Sequence, residues 1–351
     1  MTAHNWIKIY TESNISDFTA TRDNETRFWQ SLSFLKSQSA LPEALHDAAE
    51  FGIKYVLIAV NEDIGPRGNC GNGGATDGWF AFLKRFLNLP CNQFLTPNNV
   101  LLLGEIITHD LQAQSESVDN TCSAGLAQLR ALCETLDERV SAVLQAIFDA
   151  GLEPILIGGG HNNSFGLLQA LSTSTQGPCQ AINFDPHADF RAIEGRHSGN
   201  GFSYAHQAGY LADYHVVGMH EQKNNDTIVA SLQNAGFTYT TYQDILVTRE
   251  TSLTDAIKVA TKRFKHSLPL GIEVDVDAIS GMPVSAYTNC GFSVNDAEHF
   301  VYQSAKQANT RYLHLCEAAP RNHPQGEQQG IIEAGQVLSG LVCSYLKARQ
   351  T

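Results

Sequence analysis

The stretch QAINFDPHADFR, residues 180–191, changes character part-way along. A mostly apolar run suited to a buried strand, 180–184, gives way to Asp185, His187 and Asp189 at alternate positions, with Pro186 set among them. In an extended segment residues i, i+2 and i+4 share a face, so these three side chains can converge. A buried strand ending in ligand-type side chains fits the carboxyl end of a strand in an open α/β sheet, where such folds bind their ligands.

The rest of the chain supplies such a sheet. Short β-rich runs recur at 55–60 (YVLIAV), 99–104 (NVLLLG), 154–159 (PILIGG), 214–219 (YHVVGM), 268–274 (LPLGIEV) and 310–317 (TRYLHLCE). Runs that are apolar on both faces suit parallel strands covered by helices on each side. Between them lie helical patterns. Residues 122–151 have long helical periodicity and close on Gly151, and 293–308 open on the N-cap candidate Ser293 with acidic residues in the first turns. Alternating strands and helices predict one doubly wound sheet. Residues 1–50 read as an irregular, partly helical lead-in, and 51–351 as a single α/β domain.

Composition narrows the function. With 43% hydrophobic residues among 351, a sizeable core is within reach. A formal charge of −13 argues against general affinity for nucleic acid or anionic membrane. The opening MTAHNWIKIYTESN lacks the apolar core of a signal peptide, and no stretch approaches the ~18 apolar residues of a membrane span. The eight cysteines are scattered, with neither CxxC pairs nor a disulfide framework, which predicts reduced thiols in a cytoplasmic protein.

The polar residues gather at one end of the predicted strands. PILIGG runs into Gly160 and His161, LPLGIEV into Asp275 and Asp277, and YLHLC into Glu317. A single DxHxD can be a capped strand end beside a solvated loop, and DxD alone says less. The joint occurrence of His161, DxHxD and DxD on separate strand ends selects a metal site. Packed carboxylates repel and raise one another's pKa unless cations intervene. Oxygen ligands with two imidazoles and no thiolate suit a divalent ion such as Mn²⁺ rather than structural zinc. The number of carboxylates fits two ions, since bridging carboxylates hold metals about 3.5–4 Å apart.

GGGH (158–161), DPHAD (185–189) and EVDVDAI (273–279) resemble the three metal-binding signatures of the ureohydrolase family of arginase, agmatinase and formimidoylglutamase. The likeness covers most of the chain from about residue 55, including NEDIGPRGNCGNGGATDGWFAFL (61–83), GRHSGNGF (195–202), MPVSAYTNCGFS (282–293) and CEAAP (316–320). GGGH, in place of the GGDH usual in arginases and agmatinases, is most like formimidoylglutamase. The resemblance implies the three-layer, mostly parallel arginase-like fold and a two-Mn²⁺ centre. His161, Asp185, Asp189 and Asp275 would hold one ion. His187 and Asp277 would hold the other, with Asp185 and Asp275 as bridges. Glu317 would pair with the cationic nitrogens of the substrate, and His197 is the nearest candidate in sequence for proton delivery. The chain departs from the family pattern at Pro186, at Asn162 and Asn163, at Ser280-Gly281, at Glu273, which replaces a serine, and at Asn72, where formimidoylglutamases tend to carry arginine.

The expected function is hydrolysis of a linear amidine C–N bond, with N-formimidoyl-L-glutamate giving L-glutamate and formamide in histidine breakdown. The alternatives are arginase, agmatinase or another guanidino-acid hydrolase, or a catalytically silent member of the family. The loop HEQKNND, 220–226, offers Lys223, Asn224 and Asn225 where arginases present acid, and Arg67, Arg191 and Arg196 lie in or beside other motif loops. This balance favours a substrate with an anionic tail, to be held by Arg67, Asn72, Lys223 and Asn224. The partners expected are a small-molecule amidino substrate and further copies of the same chain in a homo-oligomer.

Overall fold

A computed structural model describes residues 3–35 and 40–350, so part of the predicted lead-in (1–2 and 36–39) lies outside the described residues. Among these residues nine strands form a single sheet: β1 (Ile7–Ile9), β2 (Tyr55–Val60), β3 (Val100–Ile106), β4 (Glu153–Ile157), β5 (Cys179–Phe184), β6 (Leu211–Met219), β7 (Thr238–Thr241), β8 (Leu270–Asp275) and β9 (Thr310–Cys316). Their order is β1-β3-β2-β4-β9-β8-β5-β6-β7, and every pairing is parallel except β1 with β3. This is the mostly parallel, helix-flanked sheet that the sequence predicts.

Period-two alternation divides the core between two layers. In β2 all six residues are buried; Tyr55, Leu57 and Ala59 face one layer, Val56, Ile58 and Val60 the other. The first layer is completed by helices Gly78–Phe86, Leu253–Arg263, Val294–Ala305 and Glu327–Gln350. The second is completed by Ser123–Asp149, Asn163–Thr175 and Asp226–Asn234. The long helix starts and stops as its sequence indicates. Cys122 Sγ accepts the Gly125 N–H at its start, and Gly151 sits at φ +74° just past its end. Ser293 caps Val294–Ala305, its hydroxyl accepting the Asp296 N–H at 3.2 Å.

Two strands depart from the sequence reading. β1 lies inside the lead-in and pairs antiparallel along β3, made possible by Gly104, whose φ of +137° leaves no Cβ to strike the Lys8 carbonyl. β7 reads TYTT; at the sheet edge it needs little apolar surface.

Candidate metal centre

Three loops at the carboxyl ends of β4, β5 and β8 converge. The glycine loop after β4 turns through Gly158 (φ +94°) and Gly159 (φ +68°) and is pinned by the fully buried Glu62. Glu62 accepts the Gly160 N–H at 2.7 Å, the Gly65 N–H at 3.1 Å and the Asn163 amide at 2.8 Å. That places His161, with no exposed surface, above the sheet. After β5, Asp185 folds back to accept the His187 N–H at 2.6 Å and the Asn183 amide at 3.0 Å. Asp275 does the same for the Asp277 N–H at 2.7 Å. Asp189 reaches the cluster from an αL backbone, φ +45°.

His161 Nδ1 lies 3.1 Å from Asp185, 2.8 Å from Asp189 and 3.7 Å from Asp275. His187 Nδ1 lies 3.5 Å from Asp185 and 3.9 Å from Asp277. Ligand-type atoms of His161, Asp185, Asp189 and Asp275 fall within 4.8 Å of one another, as do those of His187, Asp275 and Asp277. The six residues thus form two groups joined at Asp275. Neither ring nitrogen of His161, nor Asp277 Oδ1, has a hydrogen-bond partner of good geometry. Buried donor and acceptor atoms without partners are costly. Of these, His161 Nδ1 faces the carboxylates of Asp185, Asp189 and Asp275, and the donor set suits a divalent cation. His314 and Cys316 also approach His161. Burial, countered by His161, still pushes the Cys316 thiol well up.

The electrostatics make the same demand. Burial, reinforced by the Asp185 charge, lifts Asp275 to about 6, and burial with the Asp275 charge pushes Asp277 and Glu317 far above the usual carboxylate range. Burial opposes charge on His187, yet hydrogen bonding to Asp185 and its charge raise that imidazole to about 9. Protons are being drawn into a hole that needs positive charge; divalent cations meet the need while leaving carboxylates ionised and imidazoles neutral.

Beside the cluster opens a cavity of about 200 Å³ whose lining includes His187, Asp189, Asp275, Asp277 and Glu317 together with Asn69, Arg191, Ser198, Lys223, Asn224 and Ser285. Lys223 Nζ is buried and without a hydrogen-bond partner. Asn224 also lines the cavity, but its amide is committed: Oδ1 accepts the Ala188 N–H at 2.9 Å and Nδ2 donates to the carbonyls of Pro186 and His220. It braces the DxHxD loop instead of offering a free group to substrate.

Three residues expected at the site are not brought to the cavity. Arg67 turns to Ser115 Oγ at 3.1 Å and the Val118 carbonyl at 2.8 Å, and Asn72 is exposed outside the lining. His197 is buried, with Nδ1 accepting the Gly199 N–H at 3.1 Å and Nε2 3.2 Å from Glu194. Burial, with the charges of Arg130, Arg196 and Arg191, depresses its pKa to about 3, which disfavours the imidazolium form. Arg196 is likewise structural: it pairs with Asp137 at 2.8 Å and holds the Asn162 carbonyl, locking the loop that carries His161. Asn69 and Ser198 went unassigned by sequence. Their only signal is proximity to motif residues in the glycine-rich and GRHSGNGF segments.

A family model for the arginase family matches residues 103–342. The chain is 30% identical over 202 residues to a formimidoylglutamase of Streptococcus pyogenes, covering 53% of this chain and 60% of that protein. It is 28% identical over 286 residues to the formimidoylglutamase of Aeromonas salmonicida, covering 79% and 82%. Several of these matches, including one to the Corynebacterium efficiens formimidoylglutamase, span only 54–60% of the relative's length. Among solved structures, the fold is similar to that of formimidoylglutamase from Bacillus subtilis (TM-score 0.71, 14% identity, 95% of this chain and 94% of that one). It is also similar to Trypanosoma cruzi formiminoglutamase with Mn²⁺ (TM-score 0.68, 17% identity, 92% and 99%).

Proposed function

The chain belongs to the arginase family, and from that premise we propose that it is a manganese-dependent hydrolase of N-formimidoyl-L-glutamate, giving L-glutamate and formamide. The observation that carries the reading is the pair of ligand groups joined at Asp275, open to a cavity whose lining holds both carboxylates and the basic residues Arg191 and Lys223. His161, Asp185, Asp189 and Asp275 would hold one Mn²⁺, and His187 with Asp277 the second, sharing Asp185 and Asp275. When bound, the ions supply the Lewis acidity that lets a water attack an amidine carbon near neutral pH.

The chain's own residues do the rest. Glu317, at the cluster's edge, faces the cavity and pairs with the amidinium nitrogens, fixing the carbon in place. Lys223 and Arg191 also line the cavity, and their positive charges suit a carboxylate tail. A buried ammonium without a partner is costly, and a substrate carboxylate relieves that cost where agmatine, which has none, does not. The reading places residues 51–351 in one hydrolase domain acting in the cytoplasm as a homo-oligomer. No helix among the described residues is long and apolar enough to cross a membrane.

The deciding experiment loads the protein with Mn²⁺ and compares kcat/KM for formimidoylglutamate, arginine, agmatine and guanidinobutyrate. Highest turnover of formimidoylglutamate supports the reading. Preference for agmatine overturns the tail assignment, and no turnover of any of the four favours a silent family member.

A further inference from the structure

A second row of polar side chains lies one step below the ligands. Cα pairing aligns Asn183 of β5, Glu273 of β8 and His314 of β9 across the sheet, two residues before Asp185, Asp275 and Cys316 and on the same faces. All three are fully buried. The row supports the ligands above it: Asn183 donates to Asp185 at 3.0 Å and to the Tyr214 hydroxyl at 2.8 Å.

Glu273 is the unusual member, a buried carboxylate where the family pattern has serine. Its two oxygens are separately anchored. The Tyr312 hydroxyl donates to Oε1 at 2.6 Å, and His314 Nδ1 lies 2.6 Å from Oε2. The sheet is cut to fit this arrangement: a Cβ on Gly271 would land on the Tyr312 ring, so glycine there makes room for the tyrosine that pins Glu273. Above, His161 turns Nδ1 to Asp185, Asp189 and Asp275, and its Nε2 lies 3.4 Å from Glu273 Oε2, within ion-pair distance though not at a hydrogen-bonding angle.

We propose that Glu273 is a positioning residue for metal binding, holding His161 in the tautomer that carries its proton on Nε2 and presents the Nδ1 lone pair to the ligand cluster. The inference rests on the metal reading above. A carboxylate behind a ligating imidazole fixes ring orientation and makes the ligand nitrogen more basic, and loss of such a partner typically weakens metal binding about 10–100-fold. A serine at 273 has neither the charge nor the reach to do this. Tyr312 and His314 act one step further back, holding the carboxylate that holds the ring.

The test is stepwise Mn²⁺ titration of the full chain against a competing chelator, with thermal melting of the metal-free protein and EPR of the loaded form. Glu273→Gln is expected to weaken one binding step roughly 10–100-fold, leaving the other step and the metal-free melting temperature near wild type. At Mn²⁺ levels that give wild type a spin-coupled spectrum, the variant then shows an uncoupled mononuclear one. Two unchanged steps, or both steps falling together, overturn the proposal. If Glu273→Gln does not fold, Tyr312→Phe keeps the carboxylate and frees one anchor. It should weaken the same step by a smaller factor, and unchanged binding there also overturns the idea. A wild-type chain that binds no Mn²⁺ defeats the metal reading and this inference together, whereas normal binding in both variants beside a binding wild type defeats this inference alone.

Discussion

The backbone N–H of His161 donates to Glu317 Oε1 at 2.8 Å, and the Glu317 N–H donates in return to the Gly159 carbonyl at 2.9 Å. The ends of β4 and β9 are thereby tied directly, and the carboxylate assigned to the substrate is set by the same loop that sets a metal-facing imidazole. Glu317 adopts φ +66°, a conformation that side chains other than glycine seldom take and that such sites retain when the surroundings hold it.

Glu317→Gln keeps an acceptor for the His161 N–H while removing the charge. Turnover of the preferred substrate should fall on the order of 10²–10³-fold, the usual cost of losing one electrostatic contact to a reacting group, with bound manganese retained. Steady-state kinetics alongside elemental analysis check this. Full activity in the variant removes Glu317 from the substrate.

Asp185→Ala should abolish stable metal binding. Its carboxylate neighbours both imidazoles, so its loss should exceed the ~10–100-fold cost of altering a group behind a ligand. Manganese-to-protein ratios after desalting measure the effect, and a variant that keeps its full metal complement contradicts the assignment.

Lys223→Met should raise KM for formimidoylglutamate roughly tenfold to a hundredfold, matching the ~1.5–3 kcal/mol of a hydrogen bond to a charged group, and change kcat little. Agmatine turnover should be indifferent to it. Equal losses on both substrates would mean that Lys223 supports the site without reading the tail.

Acid stability should depend on a residue far from the chemistry. His215 is buried in β6 between Thr238 Oγ1 at 2.8 Å and Thr240 Oγ1 at 3.2 Å. Burial, with a smaller contribution from Arg263, lowers its pKa to about 4 from 6.5. Between those values the unfolded chain takes up a proton that the folded chain refuses. The stabilisation is therefore complete above pH 6.5 and is lost as pH falls toward 4, by up to ~1.4 kcal/mol per pH unit. Urea unfolding of wild type and His215→Gln over this range should show the difference. Parallel pH profiles would exclude His215 as its source.

The sequence disclosed the sheet interior and the ligand set because both rest on short periods. Strands buried on both faces announce themselves as apolar runs, and DxHxD and DxD put their side chains on one face by alternation alone. β1 and β7 were silent for the complementary reason, one being three residues long and the other polar at an edge. Which basic residues line the cavity was harder to foresee. Lys223 was visible in its loop, but whether Arg67 or Arg191 faces the cavity depends on which carbonyls and hydroxyls each can reach, and Arg67 finds Ser115 and Val118. His197 stands near the motifs in sequence, and its ring is consumed by Gly199 and Glu194. Glu273 appeared only as a departure from a pattern; its meaning needed Tyr312 and His314 from another strand.

The place of β9 in the sheet bears on how the protein is made. β9 begins at residue 310 of 351 yet lies between β4 and β8, bonded to both. Until it emerges from the ribosome, β1-β3-β2-β4 and β8-β5-β6-β7 are two half-sheets, each with a bare hydrophobic edge of the kind that recruits foreign strands. β9, which follows the other eight strands in the chain, is the one that joins them, and Glu317 comes directly after it. Ribosomes stalled before residue 310 should therefore hold a nascent chain that depends on chaperones, whereas emergence of β9 closes the sheet and completes the pocket in one event.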